Sequence, residues 1–161
     1  MLRRDYLLKL IQDLFASIEA LLEGEGDAVG RQREIEALYA TFGKDKNFFR
    51  QAEEADIVAA VAEAAAESQG VAADQLSAQD IEQRLELMAA LLYADFKVSN
   101  LSPGLRKDVA LRSLAIYEKV VASSETFSQE RQERIDELRG FLSAVSDGRY
   151  SNQKTFQSRV D

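Results

Sequence analysis

Apolar residues recur at steps of three and four along nearly the whole chain, and a single proline, Pro103, interrupts it. That spacing places apolar side chains on one face of a helix, whereas a half-buried strand needs strict alternation. No segment alternates over strand length between turn signals, so the expected fold class is all-α, with about six or seven helices. Abundant Ala, Leu, Glu and Arg agree with this, because these residues lose little rotamer freedom in a helix.

The punctuation divides the chain into rods. Helix one covers about 2–23, with Leu7, Leu10, Ile11, Leu14, Ile18 and Leu21 on one stripe and Leu8, Phe15 and Leu22 on an adjoining one. This arc is wider than a helix packed on one side needs. Gly24 and Gly26 end it, and Asp27 is placed to cap a second helix carrying Ile35, Leu38, Tyr39 and Phe42 up to Gly43. Lys44 to Gln69 reads as a short helix and a longer one, with a break near Glu53 to Asp56 and Asp56 as the second cap. A connector of small and polar residues, 70–79, follows. Ser77 caps the next helix, which presents Ile81, Leu85, Met88 and Leu92 up to about Val98. Ser102 and Pro103 open another, because proline at the first helical position gives up an N–H that had no partner there. Ser128 opens the last, with Ile135, Leu138, Leu142 and Val145, closed by Asp147-Gly148. One helical domain over 1–147 and a polar tail over 148–161 are therefore expected.

The stretch LAIYEKVVA, Leu114 to Ala122, resembles the second helix of a tetratricopeptide repeat. Ser113 fills the small-residue position, Tyr117 the aromatic one and Val120 the later small apolar one, with Ser124 to Ser128 as the joint between repeats. The proline usual at that joint is absent, and the preceding helix lacks the family's Trp, Gly and Tyr spacing. The likeness spans about Ser77 to Val145 and implies stacked antiparallel hairpins, in a regular array or an irregular bundle, with a tendency to bind partners. RRDYLLKLI and YEKVVASSETFS are also similar to strings in small all-helical bacterial proteins that open with an Arg-Asp-aromatic motif, a likeness that brings no activity with it.

Composition removes several chemistries. The net charge is −8, from 20 basic and 28 acidic residues, and a chain without a basic stripe lacks the counterion-release term that drives nucleic-acid binding. There is no His and no Cys, hence no imidazole base, no thiolate nucleophile and no disulfide, which accords with a cytoplasmic location. Neither an EF-hand spacing nor a phosphate loop occurs, so no metal or cofactor is expected. At the start of the chain, Lys9, Gln12 and Asp13 break up what would be the apolar region of a signal peptide, and the acidic residues of helix one argue against a membrane-surface role.

Two polar residues, Asp95 and Arg112, interrupt apolar faces, and with Tyr117 they are the binding candidates. In a hairpin turning near Asn100, Asp95 falls opposite Arg106, and Arg112 falls near Met88 or Glu86. Phe48, Phe49, Tyr39 and Phe42 read as core, while Tyr6 and Tyr93 are placed at the lip of a groove. The functional expectation is a non-enzymatic helical scaffold that binds another protein or itself, as a homodimer. The alternative is a small-molecule binder or enzyme that uses carboxylate, Arg and Tyr groups in a helical cavity.

Overall fold

The computed structural model describes residues 2–146, with side chains from 5 onward. The expected closing signal at Asp147-Gly148 and the polar tail lie outside the described residues. The described chain is all-helical: α1 (Leu2–Leu22), α2 (Ala28–Ala40), α3 (Lys46–Gln51), α4 (Glu54–Gln69), α5 (Ala78–Val98), α6 (Pro103–Ser123) and α7 (Gln129–Ser146), with one 3-10 turn at Ala73–Gln75.

Most boundaries fall where local chemistry puts them. The Asp27 carboxylate accepts from the Gly30 N–H at 2.7 Å, Ser77 Oγ from Asp80 N–H at 3.0 Å and Ser102 Oγ from Leu105 N–H at 3.3 Å, each satisfying a first-turn donor that has no helical partner. Ser128 does the same for Arg131 at 3.1 Å. Asp45, not recognised from the sequence, caps α3 through the Phe48 N–H at 2.9 Å. One boundary differs from expectation. The break between α3 and α4 lies at Ala52 and Glu53, both in extended backbone, and Asp56 sits inside the first turn of α4 and does not cap it. There Glu54 and Asp56 face the positive end of the helix dipole, a favourable place for carboxylates that requires no capping bond.

The architecture is organised around α5, against which α1, α2, α4 and α6 all pack. The sequence reading gave this helix one apolar face. In the fold, every residue from Leu87 to Phe96 is buried, so the helix is enclosed on all sides over that length. Small residues set the distances to its neighbours. Ala60, Ala65 and Ala66 of α4 are buried, as are Ala89, Ala90 and Ala110 where α5 meets α6. Ser113 Oγ donates to the Ala89 carbonyl across that interface at 2.9 Å, so its buried hydroxyl is partnered. Ser113, Tyr117 and Val120, which carry the tetratricopeptide likeness, are all buried. Helices α5 and α6 form the main antiparallel hairpin, and α7 folds back on α6.

Candidate functional site

Asp95 lies near the end of the enclosed stretch of α5, fully shielded from solvent. A carboxylate there must find donors inside the protein or lose its charge. It finds four. The Arg50 guanidinium donates through Nε to Oδ2 and through Nη2 to Oδ1, both at 2.7 Å. The Tyr39 hydroxyl donates to Oδ2 at 2.7 Å and the Ser99 hydroxyl to Oδ1 at 2.5 Å. Gln32 Nε2 then donates to Ser99 Oγ at 2.7 Å, extending the chain of bonds outward. The Tyr39 ring stacks on Phe49 at 5.5 Å, so its hydroxyl is aimed by an aromatic floor.

The electrostatics follow from this closure. Burial, reinforced by the charge and hydrogen bond of Asp95, pushes the Tyr39 phenol well above its ordinary range. Burial alone would lower the Arg50 pKa, but the hydrogen bond and charge of Asp95 more than offset it and the net shift is upward. With two donors on each oxygen, Asp95 has no lone pair left for a substrate proton. The cluster ties α2, α3 and α5 together.

Two expected pairings are corrected here. Asp95 pairs with Arg50 and not with Arg106. The Arg106 guanidinium donates to the main-chain carbonyls of Phe96 and of Ser99, the latter at 2.7 Å. Arg106 stands one turn beyond the α5–α6 joint, within reach of the carbonyls left unpaired at the end of α5, while Asp95 faces α2 and α3. Arg112 does not pair with Glu86. It donates to the carbonyls of Ala52 and Gln51 at 2.7 and 2.8 Å, and to that of Asp108 at 3.0 Å. Its side chain leaves α6 towards α3 and caps the C-terminal end of that short helix, while Glu86 is held by Arg131 of α7 at 3.1 Å.

Tyr117 belongs to a separate network. Its hydroxyl accepts from Arg134 Nη1 at 3.1 Å, and Arg134 also reaches Glu19 of α1 at 2.8 Å and Glu130 at 3.4 Å. Burial pushes the Tyr117 phenol up to about 12, with Arg134 opposing the shift. Tyr93 is buried, contrary to its expected place at a groove lip; its hydroxyl donates to Glu137, which also takes Lys97, and its ring lies under the Arg134 guanidinium at 5.0 Å. Tyr6 is exposed, as expected. Partial burial would raise the Glu137 pKa, but hydrogen bonds from Lys97 and Tyr93 bring it below the usual carboxylate value.

Asp95 and Arg112 thus both grip the C-terminal end of α3, one through the Arg50 side chain and the other through the carbonyls of Gln51 and Ala52, and Tyr117 stands apart. Arg50 was missed from sequence because a six-residue helix carries too few positions to define an inward face, while Tyr39 was read as core without its polar role and Arg134 was not singled out on α7. Among the described residues, no group of three or more acidic side chains could hold a metal ion, and no helix is long and apolar enough to cross a membrane. Comparison of the chain with protein-family models, curated proteins and solved structures returned no match.

Proposed function

We propose that this protein is a non-enzymatic helical scaffold that docks a second protein chain along α1, with a second copy of itself as the first partner to test. The observation that carries this reading is the width of the apolar arc on α1. Ile11, Ile18 and Leu21 are buried against the bundle, while Leu7, Leu10, Leu14 and Phe15 remain half-buried. Leu8 is 43% and Tyr6 67% exposed. Leu14 and Phe15 pack partly on the core, whereas Leu8 and Tyr6 turn to solvent, and exposed apolar side chains grouped on one helix are a common mark of an interface.

Two further observations support it. Asp95, Arg112 and Tyr117 are each hydrogen-bonded to other groups inside the fold. The tetratricopeptide likeness, carried by α6 as the second helix of a hairpin with α5, supports the same reading, towards partner binding. A net charge of −8 disfavours nucleic acid and anionic membranes as partners.

Light scattering across micromolar concentrations tests the reading. Wild type should move from monomer to dimer, and Leu8→Glu, which places a charge on an exposed position, should stay monomeric with an unchanged helical spectrum. If wild type remains a monomer, self-association is excluded. Capture from the native cell with wild type and Leu8→Glu then decides the rest, since partners retained equally by both would rule out α1 as the docking face.

A further inference from the structure

Arg84 is a buried cation whose surroundings the fold leaves incomplete. It lies in the second turn of α5 and is only 7% exposed. The other buried arginines meet carboxylates, Arg50 at Asp95 and Arg131 at Glu86. Arg84 forms no such ion pair among the described residues. Its hydrogen bond runs from Nη1 to the Asp80 carbonyl of its own helix at 3.3 Å, a long contact. A guanidinium has five N–H donors, so most of its capacity has no acceptor among the described residues. Burial depresses its pKa, and the nearby Asp80 charge makes up only part of that.

Arg84 also forms part of the wall of an open groove of about 570 Å³, between the first half of α1, the connection after α4 and the start of α5. Leu7, Leu8, Ile11 and Val71 supply apolar walls, and Gln83 and the half-buried Asp80 supply polar ones. The size lies within the ~300–1,000 Å³ of small-molecule sites, which combine apolar walls with a few fixed polar groups. The groove also adjoins the N-terminal end of the 21-residue helix α5, where the dipole favours negative charge.

We propose that this groove binds an aliphatic monocarboxylate, with its tail against Leu7, Leu8, Ile11 and Val71 and its carboxylate on Arg84. A carboxylate matches the planar guanidinium through two parallel N–H bonds. Asp80 stands nearby without pairing to the guanidinium, and its charge repels a dianion such as a phosphate monoester more strongly than a carboxylate of single charge. The site stands on Arg84 and goes beyond the docking role of α1, with which it shares Leu8, so Arg84→Met is the variant that reports on the groove apart from self-association.

The test is an amide-resonance titration of the full chain with three probes: octanoate, 1-octanol with the tail alone, and acetate with the carboxylate alone. Octanoate should give saturable shifts centred on Leu8, Val71 and Gln83, with octanol and acetate each at least about tenfold weaker, the loss expected when a charge-assisted bond or the apolar contact is missing. Arg84→Met should weaken octanoate by about tenfold or more and leave octanol unchanged. Leu8→Asp, on an exposed position that does not threaten folding, should weaken octanoate by a similar factor. The proposal is overturned if octanoate gives no saturable shift below about 10 mM, if octanol binds as tightly, or if both variants bind octanoate like wild type.

Discussion

Arg50 and Asp95 meet through two hydrogen bonds of 2.7 Å, with the carboxylate wholly buried and its two oxygens closed off by Tyr39 and Ser99. Removing one charge leaves the other buried and unpaired, which costs about 3–5 kcal/mol. Asp95→Asn and Arg50→Met are each expected to lose that much in urea denaturation. The double variant should lose less than the sum, by a coupling of about 1–3 kcal/mol. Additive losses would mean that the two side chains do not act as a pair.

Arg112 provides a sharper distinction between fold and function. Its bonds to the carbonyls of Gln51 and Ala52 hold the end of α3, so Arg112→Met should lower stability by about 1–3 kcal/mol. Hydrogen exchange should quicken first around α3. Unchanged stability together with loss of partner capture would assign Arg112 to binding instead.

The buried phenols make the fold sensitive to alkali. A tyrosine whose folded pKa is raised contributes stability that is complete below its unfolded value near 10 and is lost as pH rises towards its folded value. Tyr117, pushed up to about 12 by burial, contributes about 2–3 kcal/mol on this basis, and Tyr39 and Tyr93 shift in the same direction. Stability should therefore fall between about pH 10 and 12. Tyrosinate absorbance should then rise together with loss of helical signal, and Tyr117→Phe should make the fall shallower.

Glycines divide by backbone conformation. Gly70 ends α4 at φ +70°, where its neighbour Val71 donates back to the Ala66 carbonyl at 3.0 Å. Gly70→Ala should cost about 1 kcal/mol, because a side chain is strained in the left-handed region. Gly140 is different. It lies inside α7 with open space where a Cβ would stand, so Gly140→Ala should stabilise by about 0.5–1 kcal/mol in thermal or urea unfolding.

By itself, the sequence determined the helices and most of their ends. The caps at Asp27, Ser77, Ser102 and Ser128 act within three residues along the chain, and apolar spacing is likewise a local quantity. The break after α3 was the exception, because the extended backbone at Ala52 is held by Arg112, 60 residues away. Tertiary structure alone decided which helix lies at the centre and which charge meets which. Asp95 took Arg50, 45 residues away, in preference to the nearer Arg106, because the inward side of α5 faces α2 and α3 and a buried carboxylate pairs with whatever donor that side presents. Arg84 shows the same dependence in reverse: its burial is set by the elements around the groove, and among the described residues its local sequence supplies only the long bond to the Asp80 carbonyl. Short-range bonds repeat in any copy of a segment, whereas long-range partners exist only once the helices have packed.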